Sequence, residues 1–189
     1  MVVVLGGLAW LAGVLILELT FDPDTDSLPL SFSLLATFAG AAVGWGCWRA
    51  ASELDGGLGR LGMRATAACS AALGLGFGFD LIPNFWIGFL LAYSFGLFIL
   101  PVALLLLGIG VVRSQVFPTW AKVVPFALLA VAAVTYGFHA LARDVWDPSD
   151  AIWYFAIGVG WVLLGVAIAR FPHRIAGATP LEPAGRAAA

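Results

Sequence analysis

Five residues carry most of the chemistry this sequence can offer: Glu18, Asp80, Tyr136, His139 and Arg143. The last three are spaced i, i+3 and i+7. On a helix, at about 100° per residue, they fall within about 60° of one another and form one stripe. An imidazole in such a stripe can exchange a proton with a carboxylate near neutral pH. Glu18 and Asp80 are the carboxylates expected at a matching depth, and either is a natural ion partner for Arg143. The five together would make an outward-facing polar cluster that binds a small solute or relays a proton. The competing reading is that each group anchors a helix end where headgroups and water wet it.

Other catalytic constellations find less support. His139 is the one histidine within an apolar segment, and His173 falls in a C-terminal tail on the opposite side. Two such histidines cannot share a haem or a metal ion. No H-E-x-x-H occurs. Ser94 is the serine best placed to work with His139, but Tyr93-Ser94-Phe95-Gly96 is not a G-x-S-x-G elbow. A lone serine in a membrane helix usually bonds back to its own backbone. Cys47 and Cys69 have no metal-ligand spacing and read as packed thiols. Neither a metal nor another cofactor is expected.

These residues must be positioned by membrane-embedded elements. The chain has 189 residues, of which 62% are hydrophobic and 11% charged. A soluble domain carries roughly 25% charged residues. Mean hydropathy is +1.02. The net charge of −2 gives no basic surface for nucleic acid. The apolar runs are continuous, whereas strands of a membrane barrel alternate over about ten residues. Helices of about 20 apolar residues are required to cross the bilayer. Charges and turn residues divide the chain into six such spans, at about 2–20, 29–48, 62–82, 85–112, 122–142 and 151–169. The run from Met1 to Leu17 lacks a basic leader segment and reads as a retained helix. Asp80, Pro83 and Asn84 mark the turn between the third and fourth spans. Pro101 should tilt or kink the fourth. Residues 171–189 read as a mobile tail.

With six spans, Arg49, Arg60, Arg64, Arg113, Lys122, Arg170, Arg174 and Arg186 fall on one side and Arg143 alone on the other. The positive-inside rule makes the first side cytoplasmic, with both termini there. Trp45, Trp48 and Trp120 would form the inner aromatic belt, and Trp86, Trp146 and Trp153 the outer one. Gly40-x-x-x-Gly44 and Gly74-x-x-x-Gly78 place small residues one turn apart, so that helix backbones can approach closely. Packing within the chain is the ordinary reading of that pattern. A dimer interface or a path between helices is the functional one. The run Gly74 to Gly78 is not a nucleotide loop, since no strand precedes it.

Gly108-Ile109-Gly110-Val111-Val112-Arg113, Phe117-Pro118-Thr119-Trp120 and Gly158-Val159-Gly160-Trp161-Val162-Leu163-Leu164-Gly165 resemble segments of uncharacterised small six-helix integral membrane proteins of high-GC bacteria. The resemblance covers the C-terminal half. It implies a bacterial cytoplasmic-membrane protein and transfers no functional residue.

The expected fold is therefore an all-α bundle of six transmembrane helices with both termini cytoplasmic, in contact with the lipid bilayer. The leading reading is a non-enzymatic multi-pass membrane protein. One alternative is a small-solute or proton-coupled transporter or channel subunit using the polar cluster. The other is a membrane enzyme acting on a lipid or isoprenoid substrate, with Glu18 or Asp80 as acid.

Overall fold

The structure is a computed structural model that describes residues 1–20, 28–54, 57–79, 82, 88, 90–91, 94–114, 117–141 and 149–170. Among these residues it is all-helical, with no strand. The helices are α1 (Val2–Thr20), α2 (Leu30–Ala51), α3 (Gly57–Phe79), α4 (Leu100–Arg113), α5 (Thr119–Leu141) and α6 (Ser149–Ala169). A π-helical turn, Ser94–Ile99, runs directly into α4. Among the described residues four stretches are long and apolar enough to cross a membrane: Val2–Thr20, Leu30–Ala51, Ser94–Arg113 and Ile152–Ala169. Helix α3 has the length, but Arg60 and Arg64 in its first two turns lower its hydropathy.

Size sorts the residues between inside and outside. In α1, Gly6, Gly7 and Gly13 face inward with Val3, Trp10 and Val14, while Leu5, Leu8, Leu15 and Leu19 face outward. The same holds for α2, which buries Ala36, Ala39, Gly40, Val43 and Gly44 and exposes Leu34 and Phe38. Water would drive the large apolar side chains inward. In surroundings as apolar as the side chains that drive would be missing, and close backbone packing between small residues would hold the helices together instead.

The helices form a closed ring in sequence order. Each packs on the next, and α6 packs back on α1. Neighbours are antiparallel. Gly46 near the end of α2 meets Val3 at the start of α1, and Gly165 near the end of α6 meets Val4. Gly59 at the start of α3 lies against Gly110 near the end of α4. The starts of α1, α3 and α5 therefore share one end of the bundle with the ends of α2, α4 and α6.

Two prolines fall at turns the backbone can accommodate. Pro29 precedes α2 with φ −58° and ψ 132°. Pro101 lies in the first turn of α4, just after the π turn. Proline lacks an N–H and crowds the carbonyl four residues earlier, and a wider turn there relieves both problems. Pro125 lies inside α5 and is fully buried.

Candidate functional site

Helices α2 and α3 approach most closely along a seam of glycines. A methyl group added to Gly40 would meet the Gly74 Cα at 2.6 Å and would also strike the Ser70 carbonyl. One added to Gly44 would lie 3.0 Å from the Ala67 carbonyl oxygen, and one on Gly78 would lie 2.7 Å from the Thr37 Oγ1. All four glycines thus face the partner helix of the same chain. The Thr37 hydroxyl is 2.8 Å from the Ser33 carbonyl and 3.1 Å from the Gly74 carbonyl, so it links the two helices.

Beside the seam lies a buried aromatic cluster. Trp10 is fully buried and makes edge contacts with Phe32, Phe77, Tyr154 and Trp161. Its indole N–H donates to the Tyr154 carbonyl at 2.8 Å. Trp10 and Trp161 are the two tryptophans that neither aromatic belt takes. Their mid-helix positions were the available signal, since an indole N–H far from water needs a partner. Trp153, expected in the outer belt, lies near the start of α6, at the end away from the cations, but at 5% exposure it packs into the core. Trp86 and Trp146 lie outside the described residues.

The expected polar cluster is described only in part. Glu18 is exposed near the end of α1. Tyr136 and His139 lie on the last turns of α5, at the same end of the bundle, but their side chains are outside the described set. Asp80 and Arg143 are outside it altogether, as are residues 171–189. Nothing among the described side chains brings the five together. Among the described residues, no group of three His, Cys, Asp or Glu side chains could hold a metal ion. Cys47 and Cys69 are free, buried thiols.

The buried polar side chains among the described residues are Ser33, Thr66 and Ser70, all on α2 and α3. Their hydroxyls find no hydrogen-bond partner. Thr66 and Ser70 lie one turn apart on α3 and Ser33 lies on α2, and no charged side chain is buried with them among the described residues.

The opposite end of the bundle is cationic. Arg49, Arg60, Arg64, Arg113, Lys122 and Arg170 all fall there, and they are all the Lys and Arg among the described residues. Two of these cations lie over tryptophan rings: Arg49 is 6.0 Å from the Trp45 centroid and Arg64 is 5.3 Å from that of Trp48. Two others bond main-chain carbonyls, that of Leu54 in the segment after α2 and that of Val112 in the last turn of α4. The Arg60 guanidinium donates to the Leu54 carbonyl at 3.1 Å, and the Lys122 Nζ donates to the Val112 carbonyl at 3.3 Å. Cations are favourable at a helix C-terminus, where unpaired carbonyls gather partial negative charge. Trp45 and Trp48 are well exposed at this end, and Trp120 is 37% exposed.

From Trp120 an apolar groove runs along the outside of the bundle between α5 and α6. Its volume is about 590 Å³. Trp120, Ala127 and Val131 line one wall, and Phe155, Ala156 and Leu163 the other. Gly160 packs on Leu128 at its floor. The groove is a feature that sequence reasoning missed, because its stripe is as apolar as the rest of either helix. No protein-family model matches the chain, and neither a curated protein nor a solved structure is similar to it.

Proposed function

We propose that the protein is a multi-pass integral membrane protein with a non-enzymatic role. Its six helices cross the bilayer, and the start of α1 and the end of α6 lie on the cytoplasmic side. The carrying observation is the charge distribution on the folded chain. Every described Lys and Arg is at one end of a bundle whose shaft exposes Leu, Val and Phe. That is the pattern a bilayer selects, with cations held on the cytoplasmic face and large apolar groups turned to lipid. Trp45 and Trp48 beside Arg49 and Arg64 fit the headgroup layer at that face. The resemblance to small bacterial proteins makes the cytoplasmic membrane of a bacterium the natural location.

The non-enzymatic reading is supported by the interior. Among the described residues the buried polar side chains are three hydroxyls, which offer neither an acid nor a base at neutral pH. Among the described residues the same scarcity leaves no continuous polar path for a transported solute.

The test is cysteine labelling in a background where Cys47 and Cys69 are alanine. Ser52, just after α2, and Thr20, at the end of α1, are each replaced by cysteine in turn. An impermeant maleimide should label S52C in inverted vesicles and T20C in right-side-out vesicles or spheroplasts. Labelling of both from one face, or release of the protein by carbonate wash, would overturn the reading.

A further inference from the structure

The α5–α6 groove has the dimensions of one leaflet. From Trp120 to Val131 it extends along eleven helical steps, about 16 Å at 1.5 Å per residue. Half of a hydrocarbon core of roughly 30 Å is about 15 Å. Lined by small and aliphatic side chains of two neighbouring helices, the groove can take a hydrocarbon chain along its length. Its volume falls within the ~300–1,000 Å³ of small-ligand sites.

The groove is also polarised. It opens at Trp120 on the cationic end and stops near the level of Phe155. Arg170 directly follows α6, seven residues beyond Leu163, and so lies about 10 Å further toward the cationic end. Arg170 is exposed. Its guanidinium offers a planar pair of donors suited to phosphate oxygens. An apolar channel one leaflet long, with an arginine beyond its mouth, is complementary in shape and charge to an anionic phospholipid.

We propose that the groove between α5 and α6 binds one acyl chain of an anionic phospholipid from the leaflet at the cationic end, with Arg170 holding its phosphate. The inference rests on the membrane reading above. Trp120 borders the chain at the depth where it meets the headgroup. Ala127 and Ala156 keep the walls low enough for a chain to enter.

Native mass spectrometry of the detergent-purified protein tests this, with added phosphatidylglycerol or phosphatidylcholine of identical chains. One phosphatidylglycerol should be retained about tenfold better than phosphatidylcholine. Arg170→Gln should weaken the phosphatidylglycerol adduct about fivefold and leave phosphatidylcholine unchanged. Ala127→Trp, which fills the groove from an exposed position, should remove both adducts, and Ala156→Phe should do the same from the other wall. Equal retention of the two lipids, or adducts that survive both filling variants, would overturn the proposal. So would a dimer that Ala127→Trp dissociates, because the groove would then belong to a second copy. The cysteine-labelling pattern does not depend on the groove, so failure here leaves the topology reading standing and failure there is seen separately.

Discussion

The indole N–H of Trp10 donates to the main-chain carbonyl of Tyr154 across the junction of α1 and α6, at 2.8 Å. The two residues are 144 positions apart, and both lie in the aromatic cluster that fills this junction. Replacing Trp10 with Phe removes the donor and shrinks a fully buried ring. Interhelical hydrogen bonds in membrane proteins average about 0.6 kcal/mol, and the lost volume adds to that, for a total of about 1–3 kcal/mol. Reversible unfolding in mixed micelles should show this loss for W10F, while W45F, at an exposed ring, should shift stability by less than about 0.5 kcal/mol.

The α2–α3 seam makes a sharper demand. Gly40→Ala puts a methyl group against Gly74 and Ser70 backbone that cannot move aside as a side chain would. Gly40→Leu should abolish the folded peak in fluorescence-detected size exclusion, and Gly40→Ala should cost about 1–3 kcal/mol. Gly57, with nothing within 4 Å of an added methyl, should accept alanine without loss.

The hydroxyls of α2 and α3 should divide by partner. Thr66 and Ser70 are buried without one. Thr66→Val and Ser70→Ala should therefore be neutral or stabilising by up to about 1 kcal/mol, since an unmet polar group is removed. Thr37→Val deletes a hydroxyl that serves two carbonyls and should lower stability by about 0.5–1 kcal/mol. Thermal unfolding of the three variants side by side would check the ordering.

Charge at the loop between α2 and α3 should control orientation. Arg49, Arg60 and Arg64 are the cations nearest Ser52 in sequence. Their combined replacement by Gln should leave S52C labelled from both faces of the membrane, as the bias that retains this loop weakens. The single changes should leave labelling one-sided.

Glu18 is exposed at the end of α1. Glu18→Gln should leave the amount of folded protein unchanged and its unfolding free energy within about 0.5 kcal/mol of the parent. A larger drop would mean that its carboxylate is held by a partner.

The sequence discloses the number and class of the helices because charges are so scarce that each one punctuates the chain. Arg49 and Arg64 delimit one hairpin, and Arg113 and Lys122 another, and these cations do gather at one end. What it conceals is which face of each helix turns inward. In a water-soluble helix, polarity marks the outside. In α1, Gly7 is inside and Leu8 outside, and both count as lipid-compatible. Only size distinguishes them, and size must be matched between helices before it means anything. The burial of Trp153 is hidden for the same reason, since an indole near a helix end suits either a headgroup layer or a core. The glycine spacing of α2 and α3 was readable because two helices carried it in register. The groove was invisible, since it arises from Gly160 packing on Leu128 of another helix. The polar stripe of Tyr136 and His139 keeps its helix, but its side chains are outside the described residues.

Closure of the ring has a consequence for biosynthesis. Each of the first five helices meets a sequence neighbour soon after it leaves the ribosome. The face of α1 at Gly7 has no such early companion, because it awaits Gly158 and Val162 of the last helix. Until α6 is translated and inserted, that face is exposed to lipid or to the insertion machinery, with the Trp10 indole N–H lacking its final acceptor. Nascent chains halted before α6 should accordingly be the species most readily captured by membrane quality-control proteases.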